Sequence, residues 1–299
     1  MPLIEDTLLG RIDKVKTAIE RIRTFDPLQN GISDDPYYVA YSGGKDSDVL
    51  RILFDLSGVK YDLVHNHATV DAPETVRYIR SIPGVQISYP AITMWALIVK
   101  KQRPPTRFVR YCCQAFKERG GKGRFVATGV RWAESSRRKY SRGSLEVGMH
   151  RRSDVIILNA DNEKDRRLFE TCVAQTKRIL NPIIDWTDED VWEFLNYYGC
   201  KSNPLYQEGW SRVGCIGCPL AGRAKKERDF TRWPKYKDNY IKAFDRMLAA
   251  AIADGKPRDM WHTGEEVFDW WIADSEEKKK GDPDQTQMDL FEDYAEESI

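Results

Sequence analysis

Hydrophobic residues recur along this chain in two different rhythms. Near residues 3 to 24, Leu8, Ile12, Val15, Ile19 and Ile22 follow one another at intervals of three and four among charged neighbours, the period of an amphipathic helix. Nothing in it carries chemistry, so residues 1–32 are expected to form an N-terminal docking helix. From Tyr37 the rhythm changes to short apolar runs, Tyr37–Tyr41, Leu63–Asn66, Val85–Tyr89, Phe125–Val130 and Val155–Asn159, alternating with helical stretches. That alternation predicts an α/β domain over 33–185, a Rossmann-like parallel sheet with flanking crossover helices. After Asp185 the pattern is helix and loop, with Thr187 placed as an N-cap and Asp190 at the third helical position, so 186–274 is expected as a helical extension. Residues 275–299, with Lys278-Lys279-Lys280-Gly281-Asp282-Pro283, have the makeup of a flexible acidic tail.

At 299 residues the chain is long enough to bury an ample core without cross-links. Lysine and arginine (47) nearly balance aspartate and glutamate (46), so any polyanion must be met by a local patch. The N-terminus lacks a basic segment followed by an apolar run, and no stretch approaches the ~18 apolar residues of a membrane span. A soluble, cytoplasmic chain is the expectation. There the six cysteines stay reduced, and their clustering argues for metal or catalysis before disulfides.

Tyr38-Val39-Ala40-Tyr41 reads as a buried strand running directly into Ser42-Gly43-Gly44-Lys45-Asp46-Ser47 and then into a helix bearing Val49, Leu50, Ile52, Leu53 and Leu56. Strand, glycine turn and helix start make an anion site. Gly43 and Gly44 allow the tight turn, amides at the helix N-terminus face the anion, Lys45 adds a point charge, and Ser42 and Ser47 offer hydroxyls. It is not a Walker A loop, which needs an additional upstream glycine and Ser or Thr directly after the lysine, where this chain has Asp46. The competing reading is a strand turn that happens to hold two glycines.

The hexapeptide resembles the loop of the PP-loop, or adenine nucleotide α-hydrolase-like, superfamily, whose members bind ATP and generally cleave it between the α- and β-phosphates on a HUP-type sheet. Further segments resemble one branch, the phosphoadenosine-phosphosulfate (PAPS) reductase family. These are Thr69-Val70-Asp71-Ala72-Pro73-Glu74-Thr75, Gly129-Val130-Arg131-Trp132-Ala133-Glu134-Ser135-Ser136-Arg137-Arg138, Asn181-Pro182-Ile183-Ile184-Asp185-Trp186-Thr187 and Asn203-Pro204-Leu205-Tyr206. The resemblance covers roughly residues 36 to 235. Its segments fall at strand carboxyl ends, where open α/β sheets bind ligands. Arg131 and Arg138 are candidates to grip phosphate or sulfate oxygens, Asp71 or Glu134 to hold magnesium, and Gly129 to line the nucleotide site. Lys45, Asp46 and Arg131 are the catalytic candidates. Otherwise the arginines pair with surface carboxylates.

Cys112-Cys113 follows the basic residues Arg103, Arg107 and Arg110, and Cys215-Ile216-Gly217-Cys218-Pro219 comes later in the chain. A lone Cys-x-x-Cys can be a redox pair, but two pairs in one cytosolic chain point to four thiolate ligands. Adjacent cysteines chelate a single tetrahedral zinc awkwardly, whereas a [4Fe-4S] cluster offers a separate iron to each thiolate. The resemblance implies the same, because iron-sulfur members of the family carry Cys-Cys and a later Cys-x-x-Cys. Zinc, and free or catalytic thiols, remain the other readings. Cys172 reads as core filler, and Cys200 as buried filler ahead of a sulfur-handling thiol.

Sulfonucleotide reductases of this family do not cleave ATP, their loop usually departs from Ser-Gly-Gly-Lys-Asp-Ser, and they carry a late nucleophilic cysteine in a Glu-Cys-Gly-like element. Here the loop is complete and no cysteine follows Cys218. The resemblance is therefore closer to the ATP-dependent, iron-sulfur-bearing branch that includes DNA phosphorothioation enzymes and, more distantly, tRNA thiolases. It implies that ATP adenylylates an acceptor oxygen and that pyrophosphate leaves with help from Lys45, the loop amides and magnesium. Sulfur delivered through the cluster, or from a partner such as a cysteine desulfurase, then displaces AMP. The alternatives are a sulfonucleotide reductase that borrows its thiol and a nucleotide-binding accessory protein of a mobile element or defence system.

Three basic stretches could track a nucleic-acid backbone: Lys100, Lys101, Arg103, Arg107 and Arg110; Arg137, Arg138, Lys139, Arg142, Arg151 and Arg152 around Tyr140; and Lys225, Lys226, Arg228, Arg232 and Lys235 interleaved with Phe230, Trp233 and Tyr236. Each is otherwise a solvated face, and the third equally a core helix. Gln287-Met288-Asp289-Leu290-Phe291 resembles the short peptide by which bacterial DNA-processing proteins dock on the sliding clamp, although packing on its own domain is the simpler reading. His65 and His67 share one strand face and are read as structural or adenosine-contacting rather than metal-binding, and Trp261, Trp270 and Trp271 as a cap on the core.

Overall fold

The computed structural model describes residues 3–7, 10–118, 120–148, 155–158 and 177–273. Gln287–Phe291 and the rest of the expected tail, Cys172, Arg151 and Arg152 lie outside them. The chain separates into two compact units, one made of Met1–His67, Asp71–Pro90 and Ala115–Gly214, the other of Ala68–Val70, Ala91–Gln114 and Cys215–Ile299.

The first unit opens with an antiparallel hairpin, β1 (Ile4–Thr7) and β2 (Gly10–Asp13), followed by the helix Lys14–Thr24. Among the described residues, seven further strands form one sheet: β3 (Tyr37–Ala40), β4 (Tyr61–Asn66), β5 (Val85–Ser88), β6 (Phe125–Ala127), β7 (Leu145–Gly148), β8 (Val155–Leu158) and β9 (Lys177–Leu180). Their order is β5-β4-β3-β6-β9-β7-β8. Pairing is parallel from β5 through to β9, and β7 runs antiparallel to both β9 and β8. The chain steps outward from β3 to β4 to β5, then returns to place β6 on the other side of β3. The order thus reverses between β3 and β6, and open α/β sheets bind ligands at the strand carboxyl ends beside such a reversal. The phosphate loop leaves β3 there, and the Gly129–Arg138 segment leaves β6.

The helix expected over 3 to 24 begins only at Lys14. Gly10, at φ 121°, adopts a backbone region that side-chain-bearing residues rarely enter, and the Asp13 carboxylate caps the helix by accepting from Lys16 N–H. Val15, Ala18, Ile19 and Ile22 join Val49, Leu50 and Leu53 in one core cluster, so this helix belongs to the sheet's own core. The apolar pattern does not predict β7 or β9, because four residues such as Leu145-Glu146-Val147-Gly148 are too few and too polar to stand out. Glu146 is nevertheless buried, accepting from Arg142 at 2.6 Å and Asn181 at 2.8 Å.

Nor does the chain divide at a single point near 185. The helix Asp188–Tyr197 buries Val191, Phe194 and Leu195 in the sheet core, and residues 91–114 cluster instead with the C-terminal helices.

The second unit is helical, with Met94–Lys101, Arg223–Arg232, Pro234–Ala253 and Gly264–Ile272 plus a short turn at Tyr111–Cys113. Its centre is aromatic: Tyr240 meets Trp95 edge-on at 4.9 Å and lies 4.7 Å from Trp271. Trp271 is buried there, and Trp261 and Trp270 form an edge-to-face pair at 4.9 Å. Among the described residues, no helix is long and apolar enough to cross a membrane.

Candidate nucleotide and metal sites

The phosphate loop is held from both sides. Gly43 takes φ 70°, and a Cβ there would lie 2.8 Å from Ile79, so glycine is required twice over. Ser47 Oγ accepts from Gly44 N–H at 3.1 Å and donates back to Gly44 O at 2.7 Å, closing the first helical turn. The Asn203-Pro204-Leu205-Tyr206 signature clamps the outside: Asn203 donates to Gly43 O at 3.1 Å, and the Tyr206 hydroxyl accepts from Lys45 N–H at 3.0 Å. Burial pushes the Tyr206 phenol up to about 12, so it stays protonated at neutral pH. Gly129, at the end of β6, comes so close to the loop that a Cβ would sit 3.0 Å from Asp46 O.

Arg131 ties the charged groups together. It donates to Asp46 Oδ1 at 2.7 Å, Asp188 Oδ1 at 2.7 Å and the Trp186 carbonyl at 3.2 Å. Burial works against its charge, but Asp46 and Asp188 outweigh it and raise its pKa. Lys45 forms a short ion pair with the same Asp188, whose pKa is lowered chiefly by that bond and further by Arg131. Glu134 carries Arg138 in a short ion pair and lies 3.9 Å from Arg212, so its carboxylate anchors arginines. Asp71 stands with histidines, 3.4 Å from His65 Nε2 and 3.2 Å from His67 Nδ1. A cavity of about 520 Å³, in the usual range for ligand sites, opens beside Lys45, Asp188, Trp192, Cys200, Tyr206 and Trp210.

In the second unit, the Cys-Cys turn is fixed by Tyr111, whose hydroxyl donates to Arg103 O at 2.7 Å. The Cys215–Cys218 turn depends on Gly217. At φ 66° a Cβ there would lie 2.7 Å from Phe230 and 2.8 Å from Trp271, while its amide donates to Asp229 at 3.2 Å. Tyr240 OH donates to the neighbouring Ile216 O at 3.1 Å. The pKa of Cys112 is driven strongly upward, first by a hydrogen bond with Cys113, then by burial, then by the negative charges of Cys113, Cys215 and Cys218. Cys113, Cys215 and Cys218 thus lie near enough to Cys112 to oppose its ionisation. Thiolates as a class suit a multiply charged metal centre.

A model of the phosphoadenosine phosphosulfate reductase domain matches residues 36–221, more than half of the chain. The chain belongs to that family. Local relatives include an uncharacterized 37.8 kDa protein of Escherichia phage 186, 39% identical over 77 residues, and the adenosine 5'-phosphosulfate reductase of Burkholderia cepacia, 38% identical over 53. These matches take in 26% and 18% of this chain but only 23% and 21% of the relatives' own lengths. Among solved structures, a Candida auris PAPS reductase aligns with 67% of this chain and 88% of its own, at 15% identity and TM-score 0.45. The Methanococcus maripaludis U34-tRNA thiolase NcsA, with its [4Fe-4S] cluster, aligns with 82% and 81%, at 11% identity and TM-score 0.40.

In this PAPS reductase-family chain, Lys45, Asp46, Gly129 and Arg131 meet at one place, Arg138 and Glu134 form a separate pair, and Asp71 joins the histidines. Asp188 is not among the residues singled out from the sequence; it lies in the first turn of its helix, directly after the Asn181–Thr187 signature, and that position is the available signal. Part of that signature is structural, since Arg21 donates to Pro182 O at 2.9 Å and Asp185 at 3.0 Å. In the third basic stretch, Lys226 is buried and donates to Trp271 O at 2.9 Å, Lys225 pairs with Asp229 at 2.8 Å, and Phe230 and Trp233 are buried, which is the core-helix reading. In the second stretch Arg142 pairs with Glu146, while Tyr140 is 85% exposed. In the first, Arg107 donates to Leu220 O at 3.2 Å.

Proposed function

We propose that this chain binds ATP on the Ser42–Ser47 loop, opens it between the α- and β-phosphates, and uses the adenylylated intermediate to place sulfur on an acceptor, with nucleic acid favoured. The observation that carries this reading is the loop itself, two glycines and a buried lysine at a helix N-terminus, clamped by Asn203 and Tyr206. An acceptor oxygen bonds to the α-phosphorus as the bond to the bridging oxygen breaks, and pyrophosphate leaves with the electron pair. Lys45 and the helix N-terminus stabilise the charge that grows on that leaving group. Lys45 would exchange Asp188 for a phosphate oxygen, and Asp188, still held by Arg131, would be a carboxylate able to hold a magnesium ion. Cys112, Cys113, Cys215 and Cys218 would hold a [4Fe-4S] cluster, one thiolate to each iron, and such a cluster would supply electron-transfer chemistry beside the sulfur step.

A second reading is favoured by the relatives named adenosine 5'-phosphosulfate reductase. In it the same loop holds a sulfonucleotide and the product is sulfite. The discriminating experiment is ATP–pyrophosphate exchange by anaerobically purified protein, with and without DNA or tRNA. Exchange that rises with one nucleic acid and falls by roughly 10²–10³ in Lys45→Ala supports adenylylation. Absence of exchange, with sulfite released from the sulfonucleotide and a thiol, gives the reductase. Binding without either reaction gives an accessory protein.

A further inference from the structure

His65 and His67 project from the same face at the carboxyl end of β4, and Asp71 returns to meet them. One ligand atom from each residue falls within 4.8 Å of the other two. His65 is 5% exposed and Asp71 7%. The decisive detail is at His65. Its Nδ1 lies 3.0 Å from the Tyr41 carbonyl oxygen, an acceptor, so Nδ1 carries the proton. In the neutral ring Nε2 therefore presents a lone pair. That buried nitrogen makes no hydrogen bond and points at the Asp71 carboxylate 3.4 Å away, lone pair toward lone pair. Two acceptors face each other comfortably only with a positive charge between them. A metal-binding histidine has this arrangement, one ring nitrogen donating to a backbone carbonyl and the other aimed at the ion.

We propose that His65 Nε2, His67 Nδ1 and an Asp71 carboxylate oxygen form a divalent transition-metal site separate from the four cysteines. Two imidazoles and a carboxylate suit zinc, manganese or ferrous iron over magnesium, and three protein ligands leave a coordination position for water or a bound ligand. His67, whose side chain is 19% exposed against Tyr89, provides the side from which the ion enters. Through the Tyr41 carbonyl the site touches the residue immediately before the phosphate loop, so the ion would brace the approach to that turn.

The competing arrangement is an imidazolium at His65 that salt-bridges Asp71 with no metal. Full-length protein, treated with chelator and dialysed against zinc, separates the two when metal content is compared among wild type, His67→Ala, Asp71→Asn and a Cys215→Ser/Cys218→Ser variant. The proposal expects one equivalent of zinc to disappear in His67→Ala and Asp71→Asn and to persist in the cysteine variant. Equal zinc content in wild type and both histidine-site variants overturns it. Cobalt substitution of the cysteine variant guards against misfolded mutants: visible d–d bands without sulfur charge-transfer absorption support nitrogen and oxygen ligation, and a colourless protein counts against the site.

Discussion

The two units hold their chemical groups in opposite ways. Around the phosphate loop the charges already have countercharges in the chain: Lys45 and Arg131 share Asp188, Arg131 holds Asp46, and Glu134 holds Arg138. In the helical unit the leading influences on Cys112 all resist its ionisation, and the Cys215–Cys218 turn is fixed by aromatic packing. A site with internal countercharges keeps its shape before its ligand arrives and binds an anion by exchanging partners. The thiols around Cys112 oppose its ionisation and would gain a countercharge from the cluster proposed for them, which would couple ligand and fold there. Nucleotide binding should therefore follow charge geometry in the first unit, whereas stability should follow metal loading in the second.

The strongest way to break that contrast is Arg131→Ala. It removes a guanidinium that is 2% exposed and leaves Asp46 and Asp188 on either side of the gap. The expected cost is about 3 kcal/mol, at the low end for a broken buried pair because water reaches Asp188. Denaturant titration reads it, with the metal content of the cysteines unchanged. A loss below about 1 kcal/mol would mean these are ordinary surface pairs and the site is not framed by charge.

Gly217→Ala attacks the other side. Its Cβ would overlap Phe230 and Trp271 in a left-handed backbone, and about 2 kcal/mol of strain is expected, together with loss of cysteine-bound metal. Nucleotide binding at the loop should persist. If nucleotide affinity fell with metal content, the two sites could not be treated separately.

The sequence made the loop and the cysteine pairs legible because both depend on short, contiguous patterns. Ser42–Ser47 has a fixed backbone task at each position, and Cys-x-Gly-Cys needs its glycine for the turn. The arrangements that escaped notice are those assembled across distance. Asp188 looks like a first-turn helix charge until Arg131 and Lys45 are seen on it, and Glu146 looks too polar for a strand until Asn181 and Arg142 satisfy it. The helix expected from residue 3 failed at Gly10 and Asp13, where turn and cap chemistry overrode a helical spacing that continues through both. His65 and His67 are read from the strand alone as structural or adenosine-contacting, and Asp71 joins them from beyond the strand's end.

Tyr206→Phe sharpens the account of the clamp. It removes the acceptor for Lys45 N–H while keeping the ring that meets Trp192 edge-on at 5.1 Å. A stability loss of about 1 kcal/mol is expected without ligand, from one lost hydrogen bond in a partly buried place. Adding nucleotide should recover it if a phosphate oxygen takes over the amide. A deficit that persists at saturation would show that Tyr206 still holds the loop when it is filled.

Asp48 tests the smallest effect. It is fully buried and accepts from Tyr41 OH and Ser202 Oγ, each at 2.6 Å. Burial raises its pKa above the ordinary carboxylate value of 3.8, against the opposing pull of hydrogen bonds from Ser202, Tyr41 and Tyr78. Because the folded value lies above the unfolded one, its contribution to stability is fully present below the unfolded value and is lost as pH rises through the folded one. Wild-type protein should therefore gain stability relative to Asp48→Asn as pH falls from neutral into the carboxylate range. Paired denaturant titrations across that range measure the gap. A gap that moves the other way would mean the hydroxyls hold the ionised carboxylate more strongly than burial opposes it, making Asp48 one more internally compensated charge of the loop unit.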